Sequence, residues 1–185
     1  MTYLNELTAA MTWLGSQPDT IFIGQQVRYP GNALFKTLEG VPMEKRIELP
    51  VAEDMQMGMS IGLAMMGKVV ISIYPRMDFL LLAMNQLVLH LDKNLYPLKG
   101  KVIIRTCIGS TTPMNPGAQH CGDYTEGLDK LLRHTRIYNI FTPSEIIDVY
   151  KCAYLGKESG IIPPYTNLKD KWLIIERADN YGMES

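Results

Sequence analysis

Glu53, Phe79, His120 and the glycine pair Gly58 and Gly62 are the residues whose type and spacing bear on chemistry. The stretch "ELPVAEDMQMGMSIGLAMMGK" (48–68) sets Glu53 at the entrance of a predicted helix and places the two glycines one turn apart on it. A carboxylate there favours the positive end of the helix dipole. It is also the side-chain type used for acid–base work on a bound molecule. Glycine inside a helix costs about 1 kcal/mol relative to alanine. Two on one face call for a close neighbour, either another element of protein or a ligand. Taken singly, Phe79 reads as core or as a stacking ring, and His120 as a solvated loop side chain.

Several other chemistries find no support. Neither usual glycine-rich turn between strand and helix occurs, so no phosphate loop is indicated. There is no G-x-S-x-G elbow. His120 and Cys121 are chain neighbours, a poor arrangement for a nucleophile and its base. The histidines and cysteines lack zinc spacing, so no metal site built by this chain alone is expected.

The elements that must position these residues follow from periodicity. Leu4, Leu7, Met11 and Leu14 recur at helical spacing and predict a helix over 3–14. Short apolar runs predict strands at "TIFIG" (20–24), "VVISI" (69–73), "KVIIRT" (101–106), "IYNIF" and "WLIIE" (172–176), with a short one in "KRIELP" (45–50). Helices are predicted around 33–38, over 54–66 with a stop at Gly67, over 79–92 capped by Asp78, around 124–134, and from "TPSE" (142–145) to about Leu155. The segments "CIGSTTPMNPGAQHCGD" (107–123) and "GKESGIIPPYTNLKDK" read as loops, and the first is long enough to suggest a functional role. Strands alternating with helices predict an α/β fold, a mostly parallel sheet with helices on both faces. Ligands in such folds sit at the carboxyl ends of the strands. Those ends here are "GQQV", "YPRMDF" and the 107–123 loop.

Composition narrows the partners. The 185 residues suffice for one domain with a hydrophobic core, and 1–185 is read as a single domain. Basic and acidic residues balance at 18 and 19, which gives no electrostatic reason to expect nucleic acid or an anionic membrane. No apolar run reaches the ~18 residues needed to span a bilayer. Three cysteines without regular spacing, and a start lacking a secretory pattern, point to reduced thiols in a cytoplasm.

Taken in order, the segments resemble the pyrimidine-binding domain of thiamine-diphosphate enzymes. The nearest likeness is to the beta subunit of 2-oxoacid dehydrogenases, within the transketolase-like group. "ELPVAEDMQMGMSIGLAMMG" is similar to that family's D-T-P-I-S-E segment with its glycine-spaced helix, and "YPRMDFLLLAMNQL" to its aromatic followed by a long helix. "VIIRTCIGS…GAQH" resembles its strand, glycine-rich loop and A-Q-H. "RIYNIFTPSEIIDVYKCAY" and "WLIIERADNYG" resemble its later strand–helix and final strand. The resemblance implies the thiamine-diphosphate-binding fold. It implies Glu53 as the acid that activates the cofactor, and His120 as a second catalytic residue at the substrate end. Glu53, Phe79, Gln26 and Tyr74 would be the cofactor-binding residues.

Two departures shape the expectation. The family's G-E-E-V after the first strand is "GQQV" here, with Gln25 and Gln26 for both acids. The G-D-G…N motif that holds diphosphate and metal, and the beta subunit's C-terminal domain, have no counterpart in these residues. The implied protein is half of a split enzyme, a heterotetramer with an alpha-type chain that holds Mg2+. It would decarboxylate a small 2-oxoacid and pass on the acyl or aldehyde unit. Ketol transfer is the alternative within the enzyme class, and a non-catalytic regulatory or scaffolding partner is the alternative outside it.

Overall fold

The computed structural model describes residues 2–93, 98–112, 115–156 and 170–182. Six strands form one sheet: β1 Thr20–Gly24, β2 Arg46–Glu48, β3 Val69–Tyr74, β4 Lys101–Ile108, β5 Arg136–Asn139 and β6 Lys171–Arg177. Their order is β2-β1-β3-β4-β6-β5 and every pairing is parallel. The sequence predicts a mostly parallel sheet; this one is wholly so. Sheets buried on both faces are built from nearly continuous apolar strands. All six positions of β3, "VVISIY", are indeed buried.

Period-two alternation sends each strand's residues to two separate cores. Phe22, Ile71, Ile73, Ile103 and Trp172 pack on one face with α1 (Tyr3–Ser16) and α6 (Pro143–Leu155). Ile23, Val70, Tyr74, Ile104 and Leu173 pack on the other. There they meet α3 (Glu53–Met65), the helical run from α4 (Met77–Leu80) to Asp92, and α5 (Thr125–Leu131). A short α2 (Ala33–Lys36) lies in the connection from β1 to β2.

The expected single helix over 79–92 differs in two ways. It begins at Met77, and its winding changes along the way: one α-turn, a 3-10 turn at Leu81–Ala83, then a π-helical segment at Gln86–Asp92. Asp78 is not its cap, because its carboxylate accepts from the Gly122 N–H and the Tyr124 hydroxyl instead. The loop expected at 156–171 lies almost entirely outside the described residues.

Under the carboxyl ends of β4 and β6 sits a fully buried ion pair. Arg105 donates to both Glu176 oxygens, at 2.7 and 3.0 Å, and to the Thr37 hydroxyl at 2.8 Å. The Tyr150 hydroxyl donates to Glu176 at 2.5 Å, and the Tyr181 hydroxyl also donates to that carboxylate. Burial alone would lower the Arg105 pKa, but Glu176 holds it well above its ordinary value. Removing one member of such a pair strands the other charge, which costs about 3–5 kcal/mol. Arg105→Met is therefore expected to lower the unfolding free energy by about that amount in urea titration. A loss below about 1 kcal/mol would show that Glu176 is satisfied without the guanidinium.

Candidate functional site

The site is built at the carboxyl end of β1. Gly24 closes that strand against β3, and a Cβ there would lie 2.4 Å from the Ile73 carbonyl oxygen. The chain then turns through Gln26, whose φ of 56° is in the left-handed region that side chains other than glycine rarely adopt. Glu48, the last residue of β2, sustains this turn. Its carboxylate accepts the backbone N–H groups of Gln26, Val27 and Arg28 at 2.6, 2.9 and 2.8 Å. From the same strand the buried Arg46 donates to the carbonyls of Val27, Leu38 and Val41, so β2 grips both ends of the 25–41 connection.

That turn delivers Gln25 to Glu53. The Gln25 amide donates to Glu53 Oε1 at 2.9 Å, and Glu53 Oε2 accepts nothing from the described residues. Glu53 is 5% exposed, at the head of α3, so its carboxyl is nearly withdrawn from water while one oxygen stays free to bond a ligand. Gln56, one turn on, fixes the height of the helix. Its amide donates to the Ile73 carbonyl at 2.9 Å, the Ser72 hydroxyl at 3.2 Å and the Ile23 carbonyl at 3.5 Å. Ser60 adds a bond to Ser72 at 2.9 Å.

Two residues expected at a cofactor are placed otherwise. Tyr74 is fully buried, and its hydroxyl donates to the Glu53 backbone carbonyl at 3.3 Å. Burial, more than any neighbour, pushes its pKa upward. It props the start of α3 from below and presents no surface to a ligand. Gln26 turns outward and accepts from the Asn32 amide at 2.8 Å. Gln25, which the sequence reading did not single out as a site residue, is the one bonded to Glu53, and strand alternation was the available signal. Ile23 faces the α3 layer, so residue 25 continues on that side and residue 26 does not.

Phe79 and His120 come together. Their ring centroids lie 5.5 Å apart, edge to face at 86°. His120 belongs to a short 3-10 turn, Ala118–His120, docked on α4 through that ring contact and the bonds from Asp78 to Gly122 and Tyr124. Gly109, just beyond β4, makes room for it, since a Cβ there would sit 1.9 Å from the His120 carbonyl oxygen. His120 Nδ1 is buried and has no hydrogen-bond partner. Cys107, inside β4, is no nucleophile: its thiol is pushed up to about 12, chiefly by burial.

Among the described residues nothing requires the glycines of α3. A Cβ at Gly62 would meet nothing within 4 Å, and one at Gly58 only the Gln86 amide at 3.7 Å. Beside them Met55, Met59 and Met66 are exposed at helical spacing, with Leu82 and Leu89 exposed on the adjoining run. Among the described residues no cluster of three or more His, Cys, Asp or Glu side chains could hold a metal ion. No described helix is long and apolar enough to cross a membrane.

No family model matches the sequence, and no curated protein does. The fold, however, is similar to that of a solved split-gene transketolase, an inactive β4 tetramer, with a TM-score of 0.65 and 18% identity. The match covers 95% of this chain and 50% of that one, so the present chain spans half the length of its structural neighbour. At that identity the likeness defines the fold: an all-parallel α/β sheet of the transketolase type.

The role of Glu48 is open to direct measurement. Glu48→Ala removes the shared acceptor of three backbone donors, and hydrogen bonds to a charged group contribute about 1.5–3 kcal/mol. Amide exchange at Gln26, Val27 and Arg28 is expected to speed up strongly while β3 amides keep their protection. Unchanged exchange at those three amides would show that another group holds the turn.

Proposed function

We propose that this chain is the pyrimidine-binding half of a split thiamine-diphosphate enzyme acting on small 2-oxoacids. The observation that carries the reading is Glu53: a nearly buried carboxyl at the head of α3, oriented by Gln25, with one oxygen free toward the strand ends. Thiamine diphosphate, when bound, supplies a nucleophilic carbon that holds the electrons left by decarboxylation. The residues present fit its aminopyrimidine. Glu53 Oε2 would bond the ring nitrogen and share a proton with it, and Phe79 would offer its ring to the pyrimidine face. Gln25 keeps the carboxyl aimed, and Tyr74 and Gln56 keep the helix start from shifting. His120 stands beside Phe79 with an unpaired nitrogen, suited to moving a proton at the substrate end.

As in the resemblance, the diphosphate and Mg2+ are assigned to an alpha-type partner chain, two of each forming a heterotetramer. The exposed Met55–Met59–Gly62–Met66 face of α3 is assigned to a subunit contact, which would account for glycines that nothing inside the chain requires. Ketol transfer is the second reading, favoured by the transketolase fold of the structural neighbour. A scaffold without catalysis is the third, since Gln25 stands where the related pattern has an acid.

Glu53→Gln separates catalysis from scaffolding. It keeps the size and one hydrogen bond but cannot share the proton, and such assistance contributes about 10²–10⁴-fold in rate. Folding and assembly are expected to persist while turnover of the reconstituted complex falls within that range. Exchange of the cofactor's reactive C–H for deuterium, followed by NMR, should slow in parallel. Unchanged exchange and turnover would leave Glu53 a helix-start acid and favour the scaffold.

Gly62→Leu tests the contact. Overpacking costs about 1–3 kcal/mol and more where backbones touch. Because the side chain meets only open space within the chain, the subunit should fold normally yet fail to assemble with its partner in light scattering. Normal assembly would remove this face from the interface.

A further inference from the structure

Arg76 is a cation with no ion-pair partner among the described residues, at the carboxyl end of the sheet. It lies between β3 and α4, two residues beyond Tyr74, which pairs in register with Thr106 of β4. Its Nη1 donates only to the carbonyl of its chain neighbour Pro75, at 2.9 Å. Its Nε is buried and has no hydrogen-bond partner among the described residues. Among the ion pairs of the described residues Arg76 takes no part, whereas Arg105 and Arg177 each meet a carboxylate. Its nearest acid in sequence, Asp78, is already engaged by Gly122 and Tyr124.

Three further buried polar atoms at this end of the sheet lack partners among the described residues: His120 Nδ1, the Thr106 hydroxyl near the end of β4 and, two strands away, Asn139 Oδ1 at the end of β5. Buried polar atoms are almost always paired. Arg76 follows β3, Thr106 is near the end of the adjoining β4, and His120 belongs to the turn docked on α4; an unpaired buried guanidinium nitrogen in this region points to an acceptor from outside the described residues. The charge of Arg76 also reaches Cys107 on β4, where it offsets part of the rise that burial imposes on that thiol. A guanidinium presents a planar fork of donors that matches an oxyanion, which it binds in two parallel hydrogen bonds.

We propose that Arg76 is the oxyanion-binding residue of this site, holding the substrate's carboxylate or phosphate beside His120. The placement of that anion as substrate rests on the thiamine-diphosphate reading above; the anion site itself does not. A carboxylate in the fork means a 2-oxoacid substrate. A phosphate there means a sugar phosphate, the substrate type of ketol transfer.

The test uses the full chain labelled with 15N, without cofactor or partner. The Nε–H resonance of Arg76 is identified by its loss in Arg76→Met, and the chain is titrated with pyruvate, inorganic phosphate and neutral acetone. Saturable shifts of that resonance and of the His120 ring are expected with one of the two anions, and none with acetone. The preferred anion assigns the substrate class. Hydrogen bonds to charged groups make the expected loss of affinity in Arg76→Met about 10–100-fold, read at the His120 ring. Arg76→Lys, with the charge but not the fork, should lie between. Unshifted ring resonances of Phe79 and His120 in the anion-free variants establish that the fold is kept. The proposal is overturned if neither anion moves the Arg76 resonance, if acetone moves it equally, or if both variants bind as the parent does. Anion binding at Arg76 together with turnover indifferent to thiamine diphosphate would retire the decarboxylase reading and leave the anion site standing. Cofactor-dependent turnover with no anion effect at Arg76 would do the reverse.

Discussion

The Gln56 amide is the interaction on which the placement of the site depends. It is buried, and its donors reach the backbone of both β1 and β3 and the Ser72 side chain between two core residues. A helix packed on a sheet by apolar contacts alone can slide, because those contacts are non-directional. Directional bonds from the first full turn of α3 to the carbonyls of Ile23 and Ile73, the penultimate residues of two strands, fix both the height and the rotation of that helix. Glu53 lies three positions earlier, so its height above the sheet is set by the same bonds. Leaving those donors unmatched in the core would cost about 1–3 kcal/mol, and this penalty makes any other register of α3 unfavourable.

A second set of bonds meets the first at the carboxylate. The connection after β1 would be free to wander were it not for Glu48, whose two oxygens collect three consecutive backbone donors. The left-handed Gln26 is the cost of this arrangement, and a well-bonded surround is what sustains such a conformation. The outcome is that Gln25 arrives within hydrogen-bond distance of Glu53 from a different element. Two carboxylates on neighbouring strand and helix thus have opposite duties: Glu48 is consumed by backbone donors, while Glu53 retains an uncommitted oxygen.

The layers were legible in the sequence because apolar strands and amphipathic helices have different periods. Glu53, Phe79 and His120 stood out in the sequence as a resemblance, and the structure places the last two in contact. Tyr74 and Gln26 take other contacts than the resemblance implies, for a local reason. Both adjoin strand ends, where a shift of one residue exchanges the faces of the sheet, and a motif matched by letter does not say which face a residue takes. The helical run after Asp78 was misjudged because an all-round apolar sequence satisfies α, 3-10 and π winding alike. The choice among them rests on tertiary partners such as Asp78 with the 118–124 turn. Arg76 drew no notice in the sequence, because an unpaired cation can be recognised only once every possible partner has been located.

The same reasoning bears on the outer face of α3. Inside the chain, each glycine that a close approach demands is identifiable by what a methyl group would strike, as at Gly24 and Gly109. Gly62 strikes nothing, yet it carries the helix penalty of about 1 kcal/mol. It is flanked by methionines, flexible side chains that adapt to an irregular partner surface. A feature that destabilises the isolated helix, on a face that exposes apolar side chains, has no cause among the described residues and supports the proposed subunit contact. The inner face of α3 is thus dictated by Gln56 and Ser60, while its outer face is assigned to the proposed contact; Glu53, at the head of the helix, is positioned by the first.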